Sequence, residues 1–388
     1  VPGWNKVDFL SDPNDPEISE KLIANEDIIR QAFKSAGFDY AEHINNRNPD
    51  GNGPKAYAVH NLDWHTEAAL NFIDQNKENP FFLYFATTIP HGPGSRDRSW
   101  GADRRITPYG LLDKPLRILS SEEEIEERLK NSGIEIDARQ FDQKANLLWM
   151  DDALGEIIKK LEEYGIDDNT IIFFFNDHGQ GAKGTLYESG IRNPSIAWRK
   201  KGFKSGEVSA VRISNIDFAP TILDFAGIEI ESQQFDGKSF KNTLLDGSNE
   251  EIHESMYFEM GFTRALIKGD YKYLALRYPE SLANMSDEER KQTLEDAIDR
   301  LKIRGIAPIT ADPSAPFSHL SPIPGGWDSE RSSTGEYPFY YDRDQLYNII
   351  KDPGELENLA EKDAEILLEL KEELNKYVMD LPGTFNTN

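Results

Sequence analysis

Asn176-Asp177-His178-Gly179-Gln180-Gly181-Ala182-Lys183-Gly184-Thr185-Leu186-Tyr187-Glu188-Ser189-Gly190-Ile191-Arg192 directly follows the apolar run Ile171-Ile172-Phe173-Phe174-Phe175. A short apolar run bounded by turn residues predicts a buried strand. In open α/β sheets, ligands bind beyond the carboxyl ends of strands, where Asp177 and His178 stand. A carboxylate beside an imidazole offers two candidate metal ligands. Lys183, a few residues on, can neutralise an anion. An isolated Asp-His pair is more often a polar turn, because two groups fall short of the ligand count a site needs. The residues around the pair therefore decide its meaning.

Those residues form an ordered set. The segment resembles the part of sulfatases, in the alkaline phosphatase superfamily, where a strand ends in Asp-Asn-Gly or Asp-His-Gly and a Lys-Gly-x-x-Tyr-Glu-x-Gly-Ile-Arg run follows. Pro80 to Pro93, with Pro90-His91-Gly92-Pro93 at its end, resembles the family's strand closing in Pro-His-x-Pro. Asn215 to Gly227 resembles its Asp-x-x-Pro-Thr-Leu-x-x-x-Ala-Gly helix, followed by Asp236-Gly237-Lys238-Ser239-Phe240. Gln345 to Ala360 resembles its closing Leu-Tyr-Asn/Asp-Leu-x-x-Asp-Pro-x-Glu-x-x-Asn-Leu run. The resemblance runs from about Gly37 onward and implies a sulfuric ester hydrolase acting on a sulfated sugar or polysaccharide. It implies an α/β, alkaline phosphatase-like sandwich with a large mixed sheet between helices. A smaller C-terminal antiparallel sheet should pack on a helix. The expected division is a catalytic domain over 1–250 and a C-terminal α+β subdomain over 251–388.

By the same resemblance the metal is calcium, with Asp177 and His178 among its ligands. Imidazole favours softer metals, which leaves the metal's identity open. Lys183 would hold a sulfate oxygen, and His91 would contact the sulfate and serve as general acid, a role suited to a group that titrates near neutrality. The family's paired aspartates, its Gly-Lys-Trp-His segment and its Cys- or Ser-x-Pro-x-Arg motif, source of the formylglycine nucleophile, do not occur in these 388 residues. Ser35 to Tyr40 resembles the sequence that follows Lys-Trp-His in relatives. The expectation is that the nucleophile lies in a missing N-terminal segment and that this chain alone is inactive. A phosphodiester or phosphonate monoester hydrolase of the same superfamily is the alternative enzyme. A catalytically dead relative that binds sulfated glycan is the alternative binding protein.

Composition narrows the partners. The 43 basic and 69 acidic side chains give a formal charge of -26, which repels nucleic acid and anionic membranes. An anionic substrate then requires local reversal of the field by a divalent cation, Lys183 and arginines. With no cysteine, disulfides, thiolate metal sites and thiol catalysis are excluded within these residues. No apolar stretch reaches the roughly 18 residues of a membrane span. The family resemblance implies a periplasmic or secreted protein.

Arg96, Arg98, Trp100, Arg104 and Arg105 crowd the loop after His91. Arginine forks grip sulfate-like groups and tryptophan stacks on sugar faces, so this loop is a candidate substrate subsite. Pairing with Asp97 and Asp103 is the competing reading. Helices are expected over Glu17–Phe33, Leu62–Phe72, from a capping box at Ser121, over Lys144–Glu163, Asp217–Phe225, from Ser286 to Ile303, and over Asp363–Val378. Asp151 and Asp152 point about 100° apart on their helix and are read as a solvated or helix-pairing face. Strands are expected at 81–86, 194–198, 255–260, 263–268 and 271–276, and a domain change near 240 to 255. Residues 307–340 read as a long loop, where Trp327 is a loop anchor or a glycan contact.

Overall fold

The computed structural model describes residues 1–51, 53–133, 137, 140–179, 181–229, 235–277, 284–303, 336–379, 381 and 385. Trp327 and most of the 307–340 stretch lie outside them. The chain forms two compact units. One holds Val1–Thr170 with Arg199–Lys201, the other Ile171–Trp198 with Gly202–Asn388. The boundary at 170/171 sets the Asp177 segment in one unit with the C-terminal sheet.

The first unit is mainly helical. Helix α1 (Pro16–Ser35) starts where the Asp15 carboxylate accepts the Glu17 N–H at 2.9 Å and proline fills the first turn. Helix α2 (Leu62–Asn76) is capped by Asn61 and is longer than its predicted span. A short ribbon, β1 (Ile106–Thr107) with β2 (Gly110–Leu111), interrupts the arginine loop. Helix α3 (Glu122–Asn131) opens on the predicted capping box of Ser121 and Glu124. Helix α4 (Phe141–Glu163) lays Ala145, Trp149 and Ala153 on a core shared with Leu62, Ile89, Trp100, Leu119 and Ile125. Asp152 pairs with Arg128 of α3 at 2.5 Å while Asp151 faces solvent, as expected of a helix-pairing face.

The second unit begins with β3 (Ile172–Phe175), paired antiparallel to β4 (Ser195–Trp198). Between them lies the one-turn helix α5 (Glu188–Ile191). Helix α6 (Phe218–Phe225) covers β3: the Phe218 ring stacks on Phe175 at 4.1 Å between centroids. Gly227, at φ 71°, supplies the left-handed turn that ends this helix. Helix α7 (Lys241–Asp246) leads to β5 (Met256–Met260), β6 (Thr263–Lys268) and β7 (Tyr271–Leu276). After helix α8 (Asp287–Ile303), β8 (Asp344–Asn348) adds to β7 and completes an antiparallel sheet ordered β5-β6-β7-β8. Strand alternation splits its side chains. Leu266, Tyr273, Ala275 and Leu346 meet Leu370, Leu374 and Val378 of the last helix, α9 (Ala364–Met379). Ala265, Ile267, Leu274 and Tyr347 pack against Ala182, Leu186 and Tyr187.

The small C-terminal sheet on a helix is as expected. The large mixed sheet is represented among the described residues only by β3 and β4. Residues 81–86 have the predicted alternation, with Phe82 55% and Tyr84 64% exposed, but no ladder partner among the described residues. Periodicity reports which faces a segment would bury. The hydrogen-bonding neighbour that makes it a strand must come from elsewhere.

Candidate active site

Asp177 and His178 emerge at the carboxyl end of β3, as the sequence predicts. Asn215 holds the turn from behind, its amide donating to the carbonyls of Asn176 at 3.3 Å and Asp177 at 3.2 Å. The Asp177 side chain is 86% exposed, and its Oδ2 lies 3.6 Å from His178 Nε2. His178 Nδ1 lies 2.5 Å from the Gly179 carbonyl oxygen. A carbonyl only accepts, so Nδ1 is the donor of this bond and Nε2 is the nitrogen left on the Asp177 side.

The chain then closes on itself. Gly179 N–H donates to Gly190 O at 2.8 Å and Gly181 N–H to Ser189 O at 2.9 Å. The approach is too close for side chains. A Cβ on Gly179 would lie 2.3 Å from Ser189 O, and one on Gly190 2.6 Å from Ala182 O. The closure buries Ala182 and leaves Lys183 exposed, with no salt bridge among the described residues. Tyr187 is buried, stacked 3.7 Å from the Tyr337 ring, and its hydroxyl donates to Gln345 Oε1 at 2.6 Å.

The other predicted site residues belong to the first unit. His91 is exposed between cis Ile89–Pro90 and Gly92–Pro93 bonds, with Nδ1 2.9 Å from Gly92 O, so Nε2 is its outward nitrogen. Behind it, His60 is buried with Nδ1 2.7 Å from Thr88 Oγ1, and burial holds its pKa down at about 4.

In the arginine loop the structure contradicts the subsite expectation at Trp100 and gives each arginine a partner within the fold. Trp100 is 1% exposed and donates from Nε1 to Asp142 at 3.1 Å, so its ring is core and cannot stack on a sugar. Arg104 is paired with the fully buried Asp63 at 3.0 Å and donates to the carbonyls of Leu119 and Ser120. Arg98 grips Ala58 O and Asp50. Arg96 pairs with Glu122 and Glu126, and Arg105 with Asp103. Internal pairing explains the cluster: so many cations in an acidic chain find carboxylates close by.

No cluster of three or more His, Asp or Glu able to hold a metal occurs among the described residues. Asp177 and His178 form a two-donor edge, suited to a cation completed by further oxygen ligands. Sequence reasoning missed Asn215, which sits at the head of the Asp-x-x-Pro-Thr run. It also left His253 without a role. Its Nε2 lies 2.9 Å from the buried Asp217, which accepts the Ser214 and Lys238 N–H groups as well.

Comparison with known proteins follows the same residues. The family model described as Sulfatase matches residues 23–228. The N-acetylglucosamine-6-sulfatase of Bos taurus is 30% identical over 188 residues, covering 44% of this chain and 33% of that protein. The Ulvan-active sulfatase of Formosa agariphila is 25% identical over 347 residues, 79% of this chain and 52% of its own. A solved structure in complex with its substrate D-Glucosamine-2-N, 6-O-disulfate aligns with a TM-score of 0.51 at 18% identity, over 83% of this chain and 70% of its own. The chain therefore spans between a third and about half of the length of these two curated relatives.

Proposed function

From the premise that the chain belongs to the sulfatase family, we propose that it carries the metal-edge and anion-binding half of a sulfuric ester hydrolase acting on a sulfated sugar or polysaccharide. The observation behind this is the closed segment after β3, which presents Asp177, His178 and a Lys183 with no salt bridge among the described residues, in a chain of charge -26.

In this reading the Asp177 carboxylate and His178 Nε2 hold a divalent cation, calcium by family resemblance. The cation supplies charge neutralisation on the sulfuryl oxygens. Lys183 donates to a sulfate oxygen and offsets the repulsion of the acidic body. His91, whose outward nitrogen is Nε2, delivers the proton to the leaving alcohol. Formylglycine would be the nucleophile, contributed by residues other than these 388. Two relatives are named for hydrolysis of an N-acetylglucosamine 6-sulfate, which makes a 6-sulfated amino sugar the first substrate class to try. An exported location follows from the same kinship. Among the described residues, no helix is long and apolar enough to cross a membrane.

The test is paired turnover of the sulfate and phosphate esters of one phenol, and of sulfated oligosaccharides. The polypeptide used joins this chain to a Cys- or Ser-x-Pro-x-Arg segment. Sulfate turnover that exceeds phosphate turnover, and is lost on adding a chelator, is the expected result. Faster phosphate-diester turnover would replace the reading with the phosphodiesterase one. Saturable glycan binding without turnover would replace it with a binding protein.

A further inference from the structure

Lys272 on β7 has no solvent exposure, and two carboxylates meet its ammonium: Glu355 at 2.8 Å and Glu188 at 3.2 Å. Glu355 is itself buried, and its second oxygen accepts the Glu188 N–H at 2.6 Å. Ions so placed lose hydration that their mutual attraction barely offsets, and apolar replacements of similar volume are often as stable. Stability alone therefore does not account for the triad. One use of such groups is to fix a single arrangement.

What the triad fixes is visible in the connections of Glu188. Its neighbours on both sides are tied to the same C-terminal region, Tyr187 through Gln345 and Tyr337, and Ser189 through the Tyr337 hydroxyl. Ser189 and Gly190 in turn hold Gly179, Gly181 and Ala182 by main-chain and hydroxyl bonds. The glycines leave no slack at these crossings. A continuous set of short contacts therefore runs from Lys272 and Glu355, through Glu188, to the backbone flanking Asp177, His178 and Lys183.

We infer that Lys272 and Glu355 are positioning residues, which lock the register of the 177–192 segment from the C-terminal sheet. What the segment does once positioned rests on the function proposed above; the lock itself does not. Glu188 is the member of the triad that belongs to the segment itself, and the opposite face of the sheet, on α9, is not involved.

The experiment is amide hydrogen exchange on this chain, comparing wild type with the neutral triad Lys272→Met/Glu188→Gln/Glu355→Gln. Removing all three charges leaves no buried ion unpaired, so the urea midpoint should stay near wild type. Exchange in peptides covering 179–191 should accelerate at least tenfold, while those covering β6 and the α9 face stay within twofold. The His178 ring resonances should shift, because the backbone that Nδ1 donates to has moved. Unchanged exchange at 179–191 would overturn the inference. If the triple variant does not fold, Glu188→Gln alone keeps Lys272 paired with Glu355, and its expected acceleration is about threefold; an unchanged rate there also overturns the inference. Exchange reads the lock without turnover. A segment that loosens in an enzyme preferring phosphate diesters would preserve the lock and remove only the sulfatase reading.

Discussion

Two charge-rich loops follow apolar segments in this chain, and they resolve their charges in opposite ways. The 96–105 loop spends its arginines internally: Arg98 and Arg104 on backbone carbonyls and carboxylates, Arg96 and Arg105 on neighbouring acids. The 177–192 segment secures its backbone through glycine contacts and the Glu188 tie, and leaves Asp177 and Lys183 outward. In the first loop the charges build the structure. In the second the structure is built by other means and the charges are left outward. Density of charge in a sequence does not separate these cases. The presence of an independent scaffold does.

The largest effects should divide along this line. Trp100→Ala removes a buried ring from the core of the first unit, and cavities of that size cost about 3–5 kcal/mol. Arg104→Ala strands the buried Asp63 carboxylate and should cost a similar amount, because an uncompensated buried charge is worth about 3–5 kcal/mol. Lys183→Ala should leave the urea midpoint within about 0.5 kcal/mol, yet lower sulfate-ester turnover of the complete enzyme by about 10²–10³-fold, the usual result of removing one donor to a developing anion. Urea titration and initial rates measure both quantities. A destabilising Lys183→Ala, or a silent Arg104→Ala, would break the comparison.

The contrast also explains what could be read from the sequence. The second scaffold was legible because its devices are local. Gly179, Gly181 and Gly190 sit where only glycine fits, and the apolar run before them forms β3 as predicted. The hairpin strands β5 to β7, the capping boxes and the amphipathic helix α9 were legible for the same reason, since each depends on spacing within a few residues. What was not legible depends on partners distant in sequence. Trp100 reads as an exposed loop aromatic until Asp142 and Ile125 cover it. Strand β8 was unassigned because it joins β7 across more than sixty residues. The Lys272–Glu355–Glu188 triad joins three positions far apart in sequence, and no local pattern announces it. Residues 81–86 show the converse: a correct alternation without a described neighbour stays an extended segment.

Acid should loosen the first loop before the second. Burial depresses the pKa of His60 to about 4 and of His65 to about 3, against about 6.5 in an unfolded chain. A depressed folded pKa means the fold holds the neutral ring. The stability from this is fully present above about pH 6.5 and is lost as pH falls toward those values. Each ring contributes up to about 1.4 kcal/mol per pH unit over that window. The His60 N–H donates to the Arg98 carbonyl at 2.9 Å, so the cost falls on the arginine loop's own support. After correction for the intrinsic pH dependence of exchange, amides near 58–66 and 96–105 should lose protection between pH 6.5 and 4.5, before those at 179–191. The reverse order would show that the second scaffold is the weaker one.

The smallest effect is the most direct check on whether the first loop's arginines serve only the loop. Arg105 and Asp103 are both partly exposed, at 47% and 38% of their side chains, and such pairs are worth about 0–1 kcal/mol. Arg105→Ala should therefore change the urea midpoint by less than about 1 kcal/mol. If the loop's arginines serve only the loop, the affinity of the protein for a sulfated oligosaccharide should stay within about twofold, a difference of about 0.4 kcal/mol. Arg105 is the right residue for this test because its loss disturbs nothing buried, so a change in affinity cannot be blamed on unfolding. A tenfold loss of affinity with an unchanged midpoint would mean that an internally paired arginine exchanges Asp103 for a sulfate when one arrives. The two loops would then differ only in how tightly they hold their charges at rest.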